Sequence, residues 1–337
     1  LSQKRTLRKR RRKRRKRKAI LAILSLTFLL FISYSAYEYL SGKHEAMENQ
    51  ASAEDGEGID FEESPYKDSF RGVDNGDEKM TILLLGTDQR GTETARTDTI
   101  MLAEYNKENQ DVKMVSLMRD TYVDIPGHGY NKLNAAFAIG GPELLRETIV
   151  DNFAVEPEYY AIVDFKGFTH IVDTLAPDGI EVDIDKDMYY EAGGDGTKID
   201  LKAGKQQLDG EELLGYVRFR SDIRSDFGRV ERQQEAIGLL KDQLVSFSGV
   251  LKAPRLIGTV QPYIDTNIEG TKVVDIGKDI LLHPPEDIET LSIPTTDNVW
   301  NERKEYPIGL VLNHDEDKTQ KTLRAFLDGG TEEPESP

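Results

Sequence analysis

Three short runs decide the fold: MTILLLG (80–86), TIMLAEYN (99–106) and DVKMVSLM (111–118). The first is continuously apolar and closed by glycine, the pattern of a strand buried on both faces. The second and third are strand-like too, and only four residues separate them. A link that short excludes a crossover, so these two strands pair antiparallel. The connection GTDQRGTETARTD (86–98) has no helical periodicity, so the first two strands are expected to be antiparallel as well. An up-down-up path brings the end of the first strand, the start of the second and the end of the third to one edge. Ligands of open α/β sheets sit at such strand ends. Asp88, Asp98 and Arg119 occupy those three positions.

Downstream, helical and strand patterns alternate. Residues 141–152 and 165–175 carry apolar residues at helical spacing, 159–164 and 180–184 read as strands, 208–216 as a short helix and 229–247 as a long one. The segment 250–327 adds one or two helices and a strand at 290–293. The expectation is an α/β fold: a single extracellular domain whose mixed central sheet is covered by helices on both faces, preceded by one transmembrane helix.

Charge is unevenly placed. The 337 residues carry a net charge of −17, yet residues 1–18 hold thirteen Lys/Arg and no acid. The rest of the chain is therefore near −30 and repels nucleic acid at long range. There is no cysteine, which excludes disulfides, thiolate zinc sites and a cysteine nucleophile. Residues 19–37 are uncharged, about 28 Å as a helix, with Tyr34, Tyr37 and Tyr39 at one end. The positive-inside rule puts the basic end in the cytoplasm. The expected layout is a cytoplasmic basic segment (1–18), a single membrane span (19–40), an acidic linker (41–79), an extracellular catalytic domain (80–327) and a disordered tail (328–337). Membrane lipid is then a partner and nucleic acid is not.

Three stretches concentrate chemistry. In SLMRDTYVDIPGHGYNKLNAAFAIGG (116–141) Arg119 and Asp120 end a buried strand, where a charge is costly without a partner or a role, and Lys132 and Asn134 follow in a Gly-rich loop. A structural pair of Arg119 with Asp120 or Asp88 is the plainer alternative there. The loop 86–98 supplies Asp88, Asp98, Arg90 and Arg96; paired carboxylates without His or Cys suit a hard, oxygen-loving cation. A charged hairpin with surface ion pairs is the plainer alternative. RFRSDIRSDFGRVERQQ (218–234) holds five arginines. If residues 216–220 are extended, Arg218 and Arg220 point to the same side. Arg229 and Gln233 share a helix face, being four residues apart. Converging guanidiniums bind phosphate oxygens bidentately, so a pyrophosphate clamp is one reading. Neutralisation by Asp222, Asp226 and Glu231 is the other, and Arg224 and Arg232 are expected to do only that. No phosphate-binding G-x-x-x-x-G-K-[ST], G-x-S-x-G or H-E-x-x-H motif occurs.

LLLGTDQR, RTDTIMLAEYN, SLMRDTYVDIPG, NKLNAAFAIGG, LDGEELLGYVRFR and SDFGRVERQQ, in that order, closely resemble the LytR–CpsA–Psr family of cell-wall glycopolymer ligases. The resemblance implies transfer of a glycopolymer such as teichoic acid or capsule from a polyprenyl-pyrophosphate carrier to a peptidoglycan hydroxyl, with the lipid tail in an apolar tunnel. It implies Asp88 and Asp98 as ligands of Mg²⁺ (or Mn²⁺), and Arg96, Arg119, Arg218, Arg220, Arg229 and Gln233 as the pyrophosphate-binding set. Asp98 and Arg119 are the catalytic candidates, Asp98 as proton acceptor directly or while ligating the metal. Met118 stands where the family usually has Pro, and 176–179 replaces a usual Gly-Gly. Two alternatives use the same residues: a polyprenyl-pyrophosphate phosphatase with water as nucleophile, and a non-catalytic lipid-binding or regulatory envelope protein.

Overall fold

The computed structural model describes residues 20, 25–27, 29–47, 64–74, 76, 78–88, 96–191, 198–220, 225–260 and 263–329. The basic segment 1–18, much of 19–28, the linker stretch 48–63, Arg90, Arg224 and the tail from 330 lie outside the described residues. At its centre is a six-stranded mixed sheet in the order β11-β6-β1-β2-β3-β12. The strands are β1 (Lys79–Asp88), β2 (Arg96–Asn106), β3 (Asp111–Leu117), β6 (Tyr159–Asp164), β11 (Ile264–Thr266) and β12 (Ile288–Ile293). β1–β2 and β2–β3 are antiparallel, as the short links require. β6 and β12 join parallel, on β1 and β3 respectively.

Strand register explains the layers. The rung Ile162–Leu85–Ile100 and its neighbour Tyr160–Leu83–Leu102–Val115 point to one face. These residues form the main core with Leu133, Phe137, Leu145 and Ile149 of α2 (Leu133–Phe153) and Leu323 of α8 (Glu316–Asp328). The alternate rung Ala161–Leu84–Met101–Ser116–Ser292 points to the other face. There Gln234 of α5 (Ser225–Val245) donates to Ser116 Oγ at 3.0 Å, which lays α5 across the sheet. Helices therefore cover both faces.

A second apolar cluster joins α3 (Phe165–Leu175), β7 (Ile180–Ile184), β9 (Lys198–Leu201), β10 (Gly204–Leu208) and α4 (Gly210–Arg218). Asp209 starts α4 with a capping box: its carboxylate accepts from Glu212 N, and Glu212 reaches back to Asp209 N. That cap places the helix two residues later than periodicity suggested. The helix then runs on through Arg218, so residues 216–218 are helical rather than extended and the same-side argument for Arg218 and Arg220 fails. The helix expected from 229 begins at Ser225. The single helix expected at 141–152 begins at Leu133 and bends at Gly140–Gly141 ahead of Pro142. Gly141 has φ +67°, and a Cβ there would meet the Tyr66 ring at 2.8 Å. The Gly-rich loop expected to hold Lys132 is instead the hairpin β4 (Tyr122–Ile125) and β5 (Gly129–Lys132).

Towards the N-terminus, residues 29–47 are helical (α1). The far end of α1 crosses α6 (Phe247–Val260) at two glycines. A Cβ on Gly42 would lie 2.5 Å from Arg255 O, and one on Gly258 2.2 Å from Tyr39 O. Arg255 pairs with Glu45 at 2.5 Å. At the other end Leu29, Leu30, Phe31 and Ile32 are exposed. No helix among the described residues is long and apolar enough to cross a membrane, and the expected span 19–40 falls partly outside them.

His314, which follows β14 (Leu310–Asn313), is buried against Phe153, and among the described residues its Nε2 has no partner. Burial holds its pKa below the ordinary 6.5. A base with a depressed folded-state pKa is protonated preferentially in the unfolded chain, so its contribution is whole above 6.5 and shrinks as pH falls below that value. Thermal melting followed from about pH 7.5 down to about 5.5 should show a fall in Tm that is smaller in His314→Gln. Equal pH slopes in the two proteins would contradict it.

Candidate active site

The site is built where β1, β2 and β3 share an edge. Along β1–β2 the register runs Gly86↔Thr99 and then Thr87↔Thr97, a shift that leaves Asp98 as the extra residue of a β-bulge. In a regular ladder Asp98 would share the direction of Ile100 and Leu102, towards the core under α2. The bulge takes it out of the ladder, a use of bulges common beside functional sites. Asp88 pairs with Arg96 one rung further out, so backbone register puts both at the same edge.

Asp98 Oδ1 accepts from Arg119 Nη1 and lies 3.2 Å from Arg220 Nη2. Arg119 also faces Asp120, 3.5 Å away, and Lys132 binds the other oxygen of Asp120 at 3.0 Å. Burial pushes the Asp98 carboxyl up, but the guanidiniums of Arg119, Arg220 and Arg229 outweigh it and hold the pKa below the ordinary carboxylate range. Asp98 is therefore an anion at neutral pH.

Arg229 is the most constrained member. It is 2% exposed, and Nη2 pairs with Asp226 at 2.8 Å. Nε and Nη1 are buried and have no hydrogen-bond partner among the described residues. Burial, Arg220 and Arg119 depress its pKa, against the pull of Asp226 and Asp98, to about 10, so it stays charged. Gln233, one turn on, donates to Thr99 Oγ1 at 2.9 Å and ties α5 to the residue beside Asp98.

The structure thus gathers Asp98, Arg119, Arg220 and Arg229, with Gln233 alongside and Asp88 and Arg96 at the same edge by register. Arg218 is placed differently, its guanidinium 4.2 Å from the Phe165 ring centroid at the start of α3. Arg232 is 4% exposed, and its Nε donates to Tyr216 O at 3.1 Å and its Nη2 to Phe219 O. These carbonyls belong to the end of α4, where helix carbonyls otherwise lack partners. Arg232 is therefore the bracket that fixes the turn carrying Arg218 and Arg220. Its spacing of three residues from Arg229 was the available signal, since it sets both on one buried helix face.

Two carboxylates ending at one sheet edge are the donor type that hard, oxygen-loving cations take. Among the described residues no three carboxylate or imidazole groups converge. Mg²⁺ is commonly held by one or two carboxylates with phosphate and water completing the shell.

The profile of the LytR_cpsA_psr family matches residues 32–324. The chain belongs to that family. The regulatory protein MsrR of Staphylococcus aureus is 38% identical over 275 residues, spanning 80% of this chain and 82% of that protein. The polyisoprenyl-teichoic acid–peptidoglycan teichoic acid transferase TagU of Bacillus mycoides is 31% identical over 230 residues, 66% of this chain and 73% of that one. Among solved structures, TagT bound to LI-WTA superposes with a TM-score of 0.60 at 25% identity, covering 77% of this chain and 93% of that chain. TagT with bound octaprenyl pyrophosphate lipid shares the fold at a TM-score of 0.55 and 24% identity, covering 77% and 94%.

Arg232→Lys keeps the charge but cannot span two carbonyls as a planar fork does. Charge-assisted hydrogen bonds are worth roughly 1.5–3 kcal/mol each, so urea unfolding should show a loss of about 2 kcal/mol. Wild-type stability in that variant would remove the bracket role.

Proposed function

We propose that this protein is a membrane-anchored phosphotransferase that moves an anionic glycopolymer from a polyprenyl-pyrophosphate carrier to a peptidoglycan hydroxyl. The observation that carries the reading is the buried, partner-short guanidinium of Arg229 beside Arg119, Arg220 and Asp98. Such a cluster is costly unless an anion completes it, and the most acidic part of this chain repels all but a locally bound one. The transferase name of TagU and the pyrophosphate lipid bound by TagT support the choice of anion.

In this reading Arg119, Arg220 and Arg229 hold the pyrophosphate oxygens, and Gln233 and Arg96 flank them. Arg218, stacked on Phe165, stands outside this cluster. The acceptor hydroxyl oxygen attacks the phosphorus bonded to the glycopolymer. The bridging P–O bond breaks, polyprenyl phosphate departs, and polymer and glycan are joined by a phosphodiester. The hydroxyl proton passes to the departing phosphate monoester, whose second pKa is about 6. The arginines stabilise the charge that gathers on this leaving group, which is most of what phosphoryl transfer needs. The depressed pKa of Asp98 makes it a weak base and a good cation ligand, so it is assigned with Asp88 to Mg²⁺ rather than to proton transfer. Mg²⁺ bound there would supply charge neutralisation between phosphate oxygens.

The lipid has an apolar wall available. Ile82, Leu84 and Ala103 on the second sheet face are only half-buried, and α7 (Gly270–Leu282) has no buried residue despite its apolar sequence. The exposed Leu29–Ile32 stretch of α1 supports the anchor.

Detergent-solubilised protein given lipid-linked polymer, Mg²⁺ and peptidoglycan should release polyprenyl phosphate and label the glycan. Arg229→Ala and the Asp88→Ala/Asp98→Ala pair should each lose roughly a hundredfold or more, and chelation of the metal should stop turnover until Mg²⁺ is restored. Release without joining would make the protein a phosphatase. Lipid binding with no turnover under any metal would make it a non-catalytic protein, a role closer to the name of MsrR.

A further inference from the structure

A polymer acceptor is longer than the reacting centre, so it needs a surface leading away from Asp98 and Arg119. Along β4–β5 the outward positions are Tyr122, Asp124, Tyr130 and Lys132, with Tyr122↔Lys132 and Asp124↔Tyr130 facing across the ladder. The inward Val123 and Ile125 are fully buried. This stripe begins at the site itself, because Lys132 pairs with Asp120, which pairs with Arg119. The Tyr122 and Tyr130 rings lie 5.3 Å apart, and Lys304 sits 4.4 Å from the Tyr122 centroid. Tyr122 is thus sandwiched, while Tyr130 is 50% exposed on rigid backing.

The hairpin extends sideways. Leu312 N donates to Asp120 O at 2.9 Å, and Thr121 bridges Leu312, which sets β13 (Trp300–Arg303) and β14 beside β4. Trp300 and Tyr306, at the two ends of this second hairpin segment, are exposed as well. The ammoniums here are already used: Lys132 on Asp120, and Lys304 on Glu302 at 2.7 Å. On β4–β5 itself Asp124 is then the one charge added to the aromatic rings. That hairpin face offers a phosphate-bearing polymer no cation beyond the paired Lys132. Rings of uncharged sugars, which present C–H faces to stack on and hydroxyls and amides for polar side chains, are its chemical match.

We infer that the Tyr122–Tyr130 face, with Lys304 behind it, is the acceptor subsite: it binds a strand of N-acetylated hexose units and feeds one hydroxyl to the Asp98–Arg119 centre. This rests on the transferase reading above, with the acceptor now placed on a named surface.

The test uses full-length protein and two probes. The first is a β-1,4-linked N-acetylglucosamine oligomer, titrated by NMR or calorimetry without donor or metal. Wild-type should bind it, Tyr130→Phe should keep binding, and Tyr130→Ala should weaken it roughly tenfold. Tm for Tyr130→Ala should stay near wild-type, since the ring is half exposed. The second is the transfer assay, in which Tyr130→Ala should raise the KM for acceptor about tenfold while the KM for donor moves less than twofold. Absence of oligomer binding by wild-type, equal binding by Tyr130→Ala, or parallel changes in both KM values would overturn the subsite. Failure of the transferase reading would look different: no turnover in wild-type whatever the behaviour of Tyr130→Ala towards the oligomer.

Discussion

The burial of Arg229 against a single carboxylate is the constraint around which the molecule is organised. A guanidinium 2% exposed gives up most of its hydration, and Asp226 answers only one of its nitrogens. Taking an ion out of water costs several kcal/mol, and one partner recovers only part of that. Arg119 and Arg220 lie close enough to depress its pKa further, in a protein that is otherwise acidic. The cluster is held in place by packing: α5 is fixed on the sheet by Gln233 and Gln234, and α4 is fixed on α5 by Arg232. Stability supplied by the two cores thus holds in place a buried guanidinium with two nitrogens that lack hydrogen-bond partners among the described residues, and preorganised sites keep such strain in the same way.

Asp98 shows how backbone irregularity serves that site. A regular β1–β2 ladder would turn it under α2, where a carboxylate has no solvent and no cation. The bulge at Gly86/Thr87 moves it out, and three arginines then keep it ionised. Asp98 has two consequences at once: it offsets part of the arginine repulsion in the free protein, and it leaves an anionic oxygen pair at the edge where Asp88 also ends its strand.

Much of this was legible in the sequence, for physical reasons. Continuous apolar runs and a four-residue link leave little choice but an antiparallel β1–β2–β3, and so Asp88, Asp98 and Arg119 fall at one edge. The boundaries of β6, α3 and β7 follow from alternation and helical spacing alone. What periodicity could not carry was geometry set by single side chains. The Asp209 capping box moved α4 and so removed the supposed extended pairing of Arg218 with Arg220. Arg232 looked like one charge among acids, because burial is a property of the packed α4–α5 pair and not of the seventeen residues around it. The bulge at Asp98 leaves no mark on composition. The β4–β5 hairpin was hidden by two glycines that suggested a loop, although Gly127 and Gly129, both at positive φ, are what let the chain reverse there.

The central claim is that the guanidinium cluster is completed by a pyrophosphate. The most direct measurement is the affinity of the full-length protein for a short-chain prenyl pyrophosphate against the matching prenyl monophosphate, in wild-type and in Arg229→Met. The account predicts a preference for pyrophosphate of roughly tenfold or more in wild-type, largely lost in the variant. Equal affinities in wild-type, or a preference that survives in Arg229→Met, would contradict it.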